Sequence, residues 1–215
     1  MEHGVSLEAL IFEGGKAVSC PLSSESINTF LVFLRELTEW NERVNLTGLK
    51  NEFDMVVELF VDSLACGLAL SPEKKGSIID IGSGAGFPGI PLKIAYPELE
   101  ITLLEPRLKK TAFMHHIIGT LNLKNIHVIS RSVQDLYQDG SFNIMYDKAI
   151  ARAVRPDSIF PEARSLLRDS GRAVLCRSKR LGSCEEAWGM KVEREIDYEL
   201  PNEYGKRVLS ILRPL

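Results

Sequence analysis

A glycine-rich loop behind a short apolar run carries the clearest chemical signal in this 215-residue chain. Ser77-Ile78-Ile79 has the character of a buried parallel strand, and residues 80–86 then read D-I-G-S-G-A-G. Glycines at alternate positions let the backbone turn tightly and leave room for a ligand to lie against it. Pro91 suits the first turn of a helix behind the loop, where a missing N–H costs nothing. Strand, glycine turn and helix together predict a nucleotide-type site at the carboxyl end of a sheet.

The spacing of the glycines separates the kinds of nucleotide site. Phe87 stands where a dinucleotide fingerprint needs its third glycine, and no Lys-Ser/Thr pair follows, which argues against a phosphate-cradling P-loop. An acidic residue followed by G-x-G-x-G favours S-adenosylmethionine (SAM), with an NAD-type or other nucleotide site as the alternative. Glu105 lies 23 positions after Gly82 at the end of the next apolar run, where an acid can accept from both ribose hydroxyls. The alternative for Glu105 is a plain strand-end cap near Arg107.

Composition limits the classes of protein to consider. Hydrophobic residues make up 45% and charged residues 26%, which predicts a soluble globular chain with one sizeable core plus an appendage. No run approaches 18 apolar residues and no signal peptide is visible, so we expect a cytoplasmic protein without a membrane span, and a monomer. Wide cysteine spacing predicts reduced thiols and no metal site. The cysteines are Cys20, Cys66, Cys176 and Cys184.

The charge distribution points to a phosphate-bearing partner. The net charge is −3, which by itself argues weakly against nucleic acid. Residues 151–180, however, contain eight basic and three acidic residues, and Lys109 and Lys110 form a smaller basic pair. Clustered positive charge is typical of phosphate binding, and the alternative is a solvated face of helices and loops.

The hydrophobic pattern predicts an α/β protein preceded by helices. The first 75 residues are expected to be helical, with Ser23 or Ser24 capping one helix and a second covering Phe53 to Ala69. A helix is also expected over Leu108 to Leu121, and another after Pro156. Seven strands are predicted, near 77–81, 100–105, 125–130, 143–150, 172–177, 191–199 and 206–213. Alternating strands and helices predict a Rossmann-like, mostly parallel sheet that ends in an antiparallel hairpin, with a helical extension over 1–75 and the cofactor-binding domain over 76–215.

The loop continues as F-P-G-I-P-L at positions 87–92, a tail that is specific to one group of SAM-binding sequences. With Asn45-Leu46-Thr47, Asp62-Ser63, Leu103-Leu104-Glu105 and Ala151-Arg152-Ala153 in the same order, the chain resembles the glucose-inhibited-division-B family from about Trp40 to its C-terminus. The resemblance implies a SAM-dependent methyltransferase fold and methylation of guanine N7 in 16S ribosomal RNA, either free or within an assembling small ribosomal subunit. A small-molecule or protein methyltransferase, and a non-catalytic adenosyl-cofactor-binding module, are the alternatives on the same fold.

The resemblance also assigns residues. Gly82, Gly84 and Phe87 are expected to line the methionine side of SAM, Glu105 to take the ribose, Val133 and Gln134 to border the adenine, and Arg152 to lie at the pocket mouth. The expected RNA contacts are Lys109, Arg177, Lys179 and Arg207. The chain departs from the family pattern at Glu58, Leu59, Gln134, Arg177, Ser178 and Val208, which bears on the RNA contacts more than on the cofactor.

The proposed chemistry needs no general base. Neutral guanine carries a free lone pair and no proton at N7, so catalysis reduces largely to aligning N7, the methyl carbon and the sulfur. We therefore expect no catalytic acid–base residue. An arginine bonded to N7 would occupy that lone pair, so Arg152 is expected to bind the cofactor carboxylate, a phosphate or O6 instead.

Overall fold

A seven-stranded sheet forms the centre of the computed structural model, which describes residues 5–70, 74–140, 145–153, 160–181 and 189–215. Its strand order is β3-β2-β1-β4-β5-β7-β6. The strands are β1 (Gly76–Ile81), β2 (Leu99–Leu104), β3 (Ile126–Ile129), β4 (Tyr146–Arg152), β5 (Leu167–Arg177), β6 (Met190–Leu200) and β7 (Gly205–Pro214). Strands β1 to β5 pair in parallel, whereas β7 runs antiparallel to both β5 and β6. The predicted mostly parallel sheet with a C-terminal hairpin is confirmed.

Two capped helices begin the described chain. Helix α1 (Leu7–Ala17) begins after Ser6, and α2 (Ser24–Val44) begins after Ser23, whose side chain accepts from the Ser26 N–H. A hydroxyl at the cap satisfies one of the N–H groups that a helix start leaves free. Ser23 was one of the two predicted caps. Helix α2 ends at Asn45, which adopts a left-handed conformation, the usual way for a chain to leave a helix.

The predicted helix over Phe53 to Ala69 is present, but its middle is wound differently. It consists of α3 (Glu52–Met55), a π-helix (Val56–Val61), α4 (Asp62–Ala65) and a final 3-10 turn (Cys66–Ala69). Five of its apolar side chains are buried: Val56, Val57, Phe60, Val61 and Leu64. The π-helix widens the turn where this segment approaches the sheet, and such turns are common at functional sites.

The remaining helices flank the parallel strands. They are α5 (Gly89–Ala95), α6 (Leu108–Thr120), α7 (Val133–Gln138) and α8 (Phe160–Ala163). One buried cluster joins the N-terminal helices, α5 and α6 to one face of the sheet, and a second covers the opposite face around Ile81, Leu104 and Val133. The first cluster contains side chains from both 1–75 and 76–215, and the division into two domains at that point stays a prediction. None of the helices in the described ranges combines the length and apolar character that a bilayer crossing requires.

Two sequence expectations fall partly outside the described residues. Cys184 and Pro156 lie in ranges that the structure does not describe, whereas Cys20, Cys66 and Cys176 are free and buried. Helix α8 begins a few residues after Pro156, in the predicted place. Strand β5 begins at Leu167, earlier than the predicted start near 172. The sequence missed this beginning because Arg168, Asp169 and Ser170 are three consecutive exposed polar residues, which give no apolar signal.

Candidate functional site

The glycine loop turns sharply at the carboxyl end of β1. Gly82, Gly84 and Gly86 have φ angles of 72°, 59° and 95°, which glycine adopts far more readily than other residues. The Gly82 and Ser83 N–H groups both donate to the carbonyl oxygen of Leu104, at 2.8 and 3.1 Å. The loop is thus tied to the neighbouring strand β2, and α5 begins directly behind it at Gly89, with Pro91 in its first turn as predicted.

Glu105 fixes the other side of this loop. Its side chain is buried, with one carboxylate oxygen accepting from the Gly84 N–H and the other from the Arg107 N–H, both at 3.0 Å. A carboxylate has about four acceptor positions, so two bonds to the backbone leave capacity for two hydroxyl groups of a ligand. The expectation that Glu105 takes the ribose stays a prediction, and the structure adds that this residue braces the loop.

Asp80 is a buried acid beneath the loop. One carboxylate oxygen accepts from the Gly89 N–H at 2.8 Å, while the other has no hydrogen-bond partner among the described residues. Burial raises the pKa of Asp80 to about 7, although the bond from Gly89 opposes part of that rise. Asp80 therefore ties the loop to the start of α5 and titrates near neutral pH.

Phe87 joins the loop to the N-terminal helices. Its ring stacks on Phe33 of α2 at 5.3 Å with an interplanar angle of 8°, and lies 5.7 Å from Phe60 of the π-helix. Phe33 and Phe60 are themselves stacked at 5.1 Å. Offset aromatic pairs are stable in such arrangements, so this three-ring cluster holds the loop, α2 and the π-helix in one fixed relation.

A cavity of about 550 Å³ opens at this carboxyl edge of the sheet. All seven residues expected to bind the cofactor line it: Gly82, Gly84, Phe87, Glu105, Val133, Gln134 and Arg152. Helix α7 contributes Val133 and Gln134 because Ser132 caps it through a reciprocal bond with Asp135. The structure therefore brings together residues that are up to 70 positions apart in the sequence.

Several other lining residues were not assigned to the cofactor site from the sequence. Thr47 and Leu59 reach the cavity from the N-terminal part of the chain, Lys110 adds positive charge to its wall, and Arg131 in the wall pairs with Asp139. Lys110 was counted as a basic residue, but Lys109 was favoured for RNA. The helical period could have predicted the position of Lys110, because Lys110 shares a face of α6 with the buried Phe113 and Ile117.

Arg152 is held by the N-terminal helices. Its Nη1 donates to the Glu58 carbonyl oxygen at 2.8 Å and to Asp62 Oδ2 at 3.1 Å. The other oxygen of Asp62 accepts from the Tyr198 hydroxyl at 2.7 Å. A chain of bonds therefore runs from β6 through α4 to the last residue of β4, at the rim of the cavity.

The predicted RNA contacts lie outside the cavity lining. Arg177 ends β5, and its Nε donates to the Lys179 carbonyl oxygen at 3.2 Å. Arg207 is the third residue of β7 and lies on the other face of the sheet, at the same edge. Lys109 is exposed on the first turn of α6, near the rim. The four predicted RNA contacts have no carboxylate partner in the described part of the chain: Lys109, Arg177, Lys179 and Arg207.

Much of the positive charge between residues 151 and 180 is paired with acidic side chains of the same protein. Arg168 pairs with Asp147, Arg172 with Glu193, and Arg180 with both Glu195 and Asp197. The pairing with Arg180 holds the segment after β5 against β6. Among the residues that the structure describes, Arg164, Arg177 and Lys179 have no carboxylate partner, and Arg155 lies outside those residues.

Comparison with known proteins gives consistent matches. Residues 26–194 match the family model described as rRNA small subunit methyltransferase G. A ribosomal RNA small subunit methyltransferase G of Oenococcus oeni is 34% identical over 202 residues, which cover 90% of this chain and 84% of that protein. One of Acetivibrio thermocellus is 29% identical, covering 99% and 90%. The solved structure of TrmN from Thermus thermophilus shares the fold, with a TM-score of 0.54 and 13% identity over 74% of this chain and 53% of that one.

Proposed function

The chain belongs to the rRNA small subunit methyltransferase G family, and from that premise we propose that it transfers the methyl group of SAM to N7 of a guanine in 16S ribosomal RNA. The observation that carries this proposal is the cavity at the carboxyl edge, lined by the glycine loop, Glu105 and Arg152. Ligands of open α/β sheets bind at that edge. The substrate implies a protein that acts in the cytoplasm, where ribosomes are assembled.

The residues around the cavity fit SAM. A Cβ atom at Gly84 would meet only Lys110 Nζ, at 3.6 Å, so the backbone there faces open space in which a ligand can lie close. Gly82 and Gly84 would hold the methionine part, Glu105 the ribose hydroxyls, and Val133 and Gln134 the adenine. A volume of about 550 Å³ is within the range of cofactor sites. When bound, SAM supplies an electrophilic methyl group on a positively charged sulfur.

The chain's own residues contribute alignment. The bonds from Gly82 and Ser83 to Leu104 fix the loop, and Glu105 fixes its middle, so the cofactor side of the site is preorganised. Phe87, which stacks on the buried Phe33, would give the methionine end of the cavity an apolar wall. No side chain has to remove a proton, because N7 of neutral guanine has none.

The target guanine must leave its stack to reach the cavity, as in other enzymes that act on a base. Lys109 at the rim, with Arg177, Lys179 and Arg207 farther along the same edge, would bind the phosphates on either side. Lys110 in the wall adds charge closer to the reacting base, whereas Arg131 is paired with Asp139. Positive charge in the wall and along this edge of the sheet favours an extended polyanion over a small neutral substrate.

Titration calorimetry combined with a transfer assay tests this function. The purified chain should bind SAM and its demethylated product more tightly than NAD, and should transfer a labelled methyl group from SAM to 16S ribosomal RNA. Tighter binding of NAD than of SAM would overturn the cofactor assignment. Binding of SAM without transfer to free RNA or to small-subunit particles would overturn the substrate assignment.

A further inference from the structure

Arg152 offers three N–H donors to a ligand. A guanidinium carries five N–H groups, and both of those on Nη1 are used, one by Glu58 and one by Asp62. The remaining three, on Nε and Nη2, have no acceptor among the described residues. Nε and Nη2 form the fork that matches the two oxygens of a carboxylate or phosphate group. The side chain is 15% exposed and lines the cavity, so a ligand in the cavity can reach this fork.

From this geometry we infer that Asp62 and Tyr198 are positioning residues, which hold the guanidinium of Arg152 so that Nε and Nη2 bind an oxyanion at the cavity rim. The inference rests on the proposed function and deepens it. The oxyanion is the carboxylate of the cofactor or a phosphate of the RNA, and the experiment below separates these two sources.

Three elements converge to make this arrangement. The π-helix presents the Glu58 carbonyl oxygen, α4 presents Asp62, and β6 presents the Tyr198 hydroxyl from the far side of the sheet edge. Tyr198 donates its proton to Asp62, so Asp62 has one oxygen fixed and the other directed at Arg152. A long, flexible arginine side chain loses rotamer freedom on binding, and fixing it beforehand removes that cost from the binding step.

The sign of the effect distinguishes positioning from simple electrostatics. Asp62 carries a negative charge beside Arg152, so it opposes the binding of any anion by Coulomb's law. If charge alone mattered, Asp62→Asn would strengthen anion binding. If Asp62 positions Arg152, the same substitution weakens binding although the site becomes more positive.

The chain provides a matched control. The Tyr204 hydroxyl donates to Asp54, which makes a second Tyr–Asp bond between the β6–β7 hairpin and the same helical segment. Asp54 has no bond to Arg152. Tyr204→Phe and Asp54→Asn therefore remove an equivalent interaction without altering the support of the guanidinium.

The experiment measures SAM affinity, RNA affinity and single-turnover methylation for Asp62→Asn, Tyr198→Phe, Arg152→Ala and the two control variants, after thermal melts establish that each is folded. We expect Asp62→Asn to weaken SAM or RNA binding about tenfold, Tyr198→Phe to weaken it less, and the controls to match wild type. Decarboxylated SAM separates the sources. Loss of the preference for SAM over this analogue assigns the cofactor carboxylate, and a loss confined to RNA assigns a phosphate.

A double-mutant cycle completes the test. If Asp62 acts through Arg152, the double variant Asp62→Asn/Arg152→Ala should bind no more weakly than Arg152→Ala alone. Additive losses, unchanged or stronger binding in Asp62→Asn, or equal losses in the controls would overturn the inference. If the variants gave those results while the wild-type protein bound SAM and methylated RNA, the inference would fail and the proposed function would stand. Failure of the wild type itself would instead count against the proposed function.

Discussion

Glu105 Oε2 accepts a 3.0 Å hydrogen bond from the backbone N–H of Gly84, so the acid that follows β2 directly supports the loop that follows β1. The two features that most strongly indicated a nucleotide site in the sequence are therefore one physical unit. A ligand that lies against Gly84 also lies against the carboxylate of Glu105. Substitutions at either residue should therefore weaken cofactor binding more than RNA binding.

Replacement of Glu105 by alanine should weaken SAM binding roughly tenfold or more, because a bond to a charged group is worth ~1.5–3 kcal/mol. The melting temperature should also fall, since the Gly84 and Arg107 N–H groups lose their acceptor. Calorimetric titration and thermal melts measure both effects. Glu100→Ala, an exposed position on β2, is the control and should change neither. Unaltered SAM affinity in Glu105→Ala would remove this residue from the cofactor site.

Gly84→Val should remove SAM binding from a protein that still folds. The φ angle of 59° makes valine strained by about 1–3 kcal/mol, but its Cβ has space in the absence of a ligand. Gly140 has a similar φ of 61° and open surroundings away from the cavity, so Gly140→Val carries the same kind of strain without the steric block. Comparable SAM affinities in the two variants would show that the loop does not contact the cofactor.

Removal of the cations Arg177 and Lys179 should weaken RNA binding and leave SAM affinity nearly unchanged. Each lost phosphate contact should reduce the log–log salt slope by about 0.7–0.9. Arg168→Ala/Arg172→Ala removes two positive charges that already pair with Asp147 and Glu193, and is the control of equal charge. Salt titrations of RNA binding compare the two double variants. Identical slopes would identify the segment after β5 as an ordinary solvated face.

The stability of the protein should depend on the titration of Asp80. Its pKa is about 7 in the folded chain and near 3.8 in an unfolded one, so the folded state holds a proton that the unfolded state has lost between those values. Stability should therefore fall as pH rises from about 4 to 7, by up to roughly 1.4 kcal/mol per pH unit. Asp80→Asn should lack this component. Denaturant unfolding of both proteins at several pH values measures it, and parallel pH curves would contradict the shifted pKa.

The sheet could be predicted from the sequence because its strands are short apolar runs separated by turns. All seven strands were expected within a few residues. The cavity residues were expected from the family resemblance, and they meet in the structure because parallel strands end at one edge of the sheet. The π-helix could not be predicted, since the buried positions from Val56 to Val61 satisfy an ordinary helical pattern equally well.

The hydrogen bonds that hold Arg152 and the ion pairs of the basic segment also could not be predicted from the sequence. Asp62 lies 90 positions before Arg152 and 136 positions before Tyr198, and no local sequence pattern links the three residues. Likewise, Arg168, Arg172 and Arg180 look like free cations in the sequence, but acids on β4 and β6 neutralise them. Tertiary pairing thus removes Arg168, Arg172 and Arg180 from the free cations of the basic segment, and Lys109, Arg177, Lys179 and Arg207 stay the predicted RNA contacts.

Mass analysis of 16S ribosomal RNA from cells with and without this chain tests the proposed methyl transfer in the cell. We expect one guanine that carries a methyl group at N7 only when the chain is present, and that loses it when Gly84→Val replaces the wild type. Identical methylation in the two strains, or a methyl group that depends on the chain but lies on an atom other than guanine N7, would contradict it.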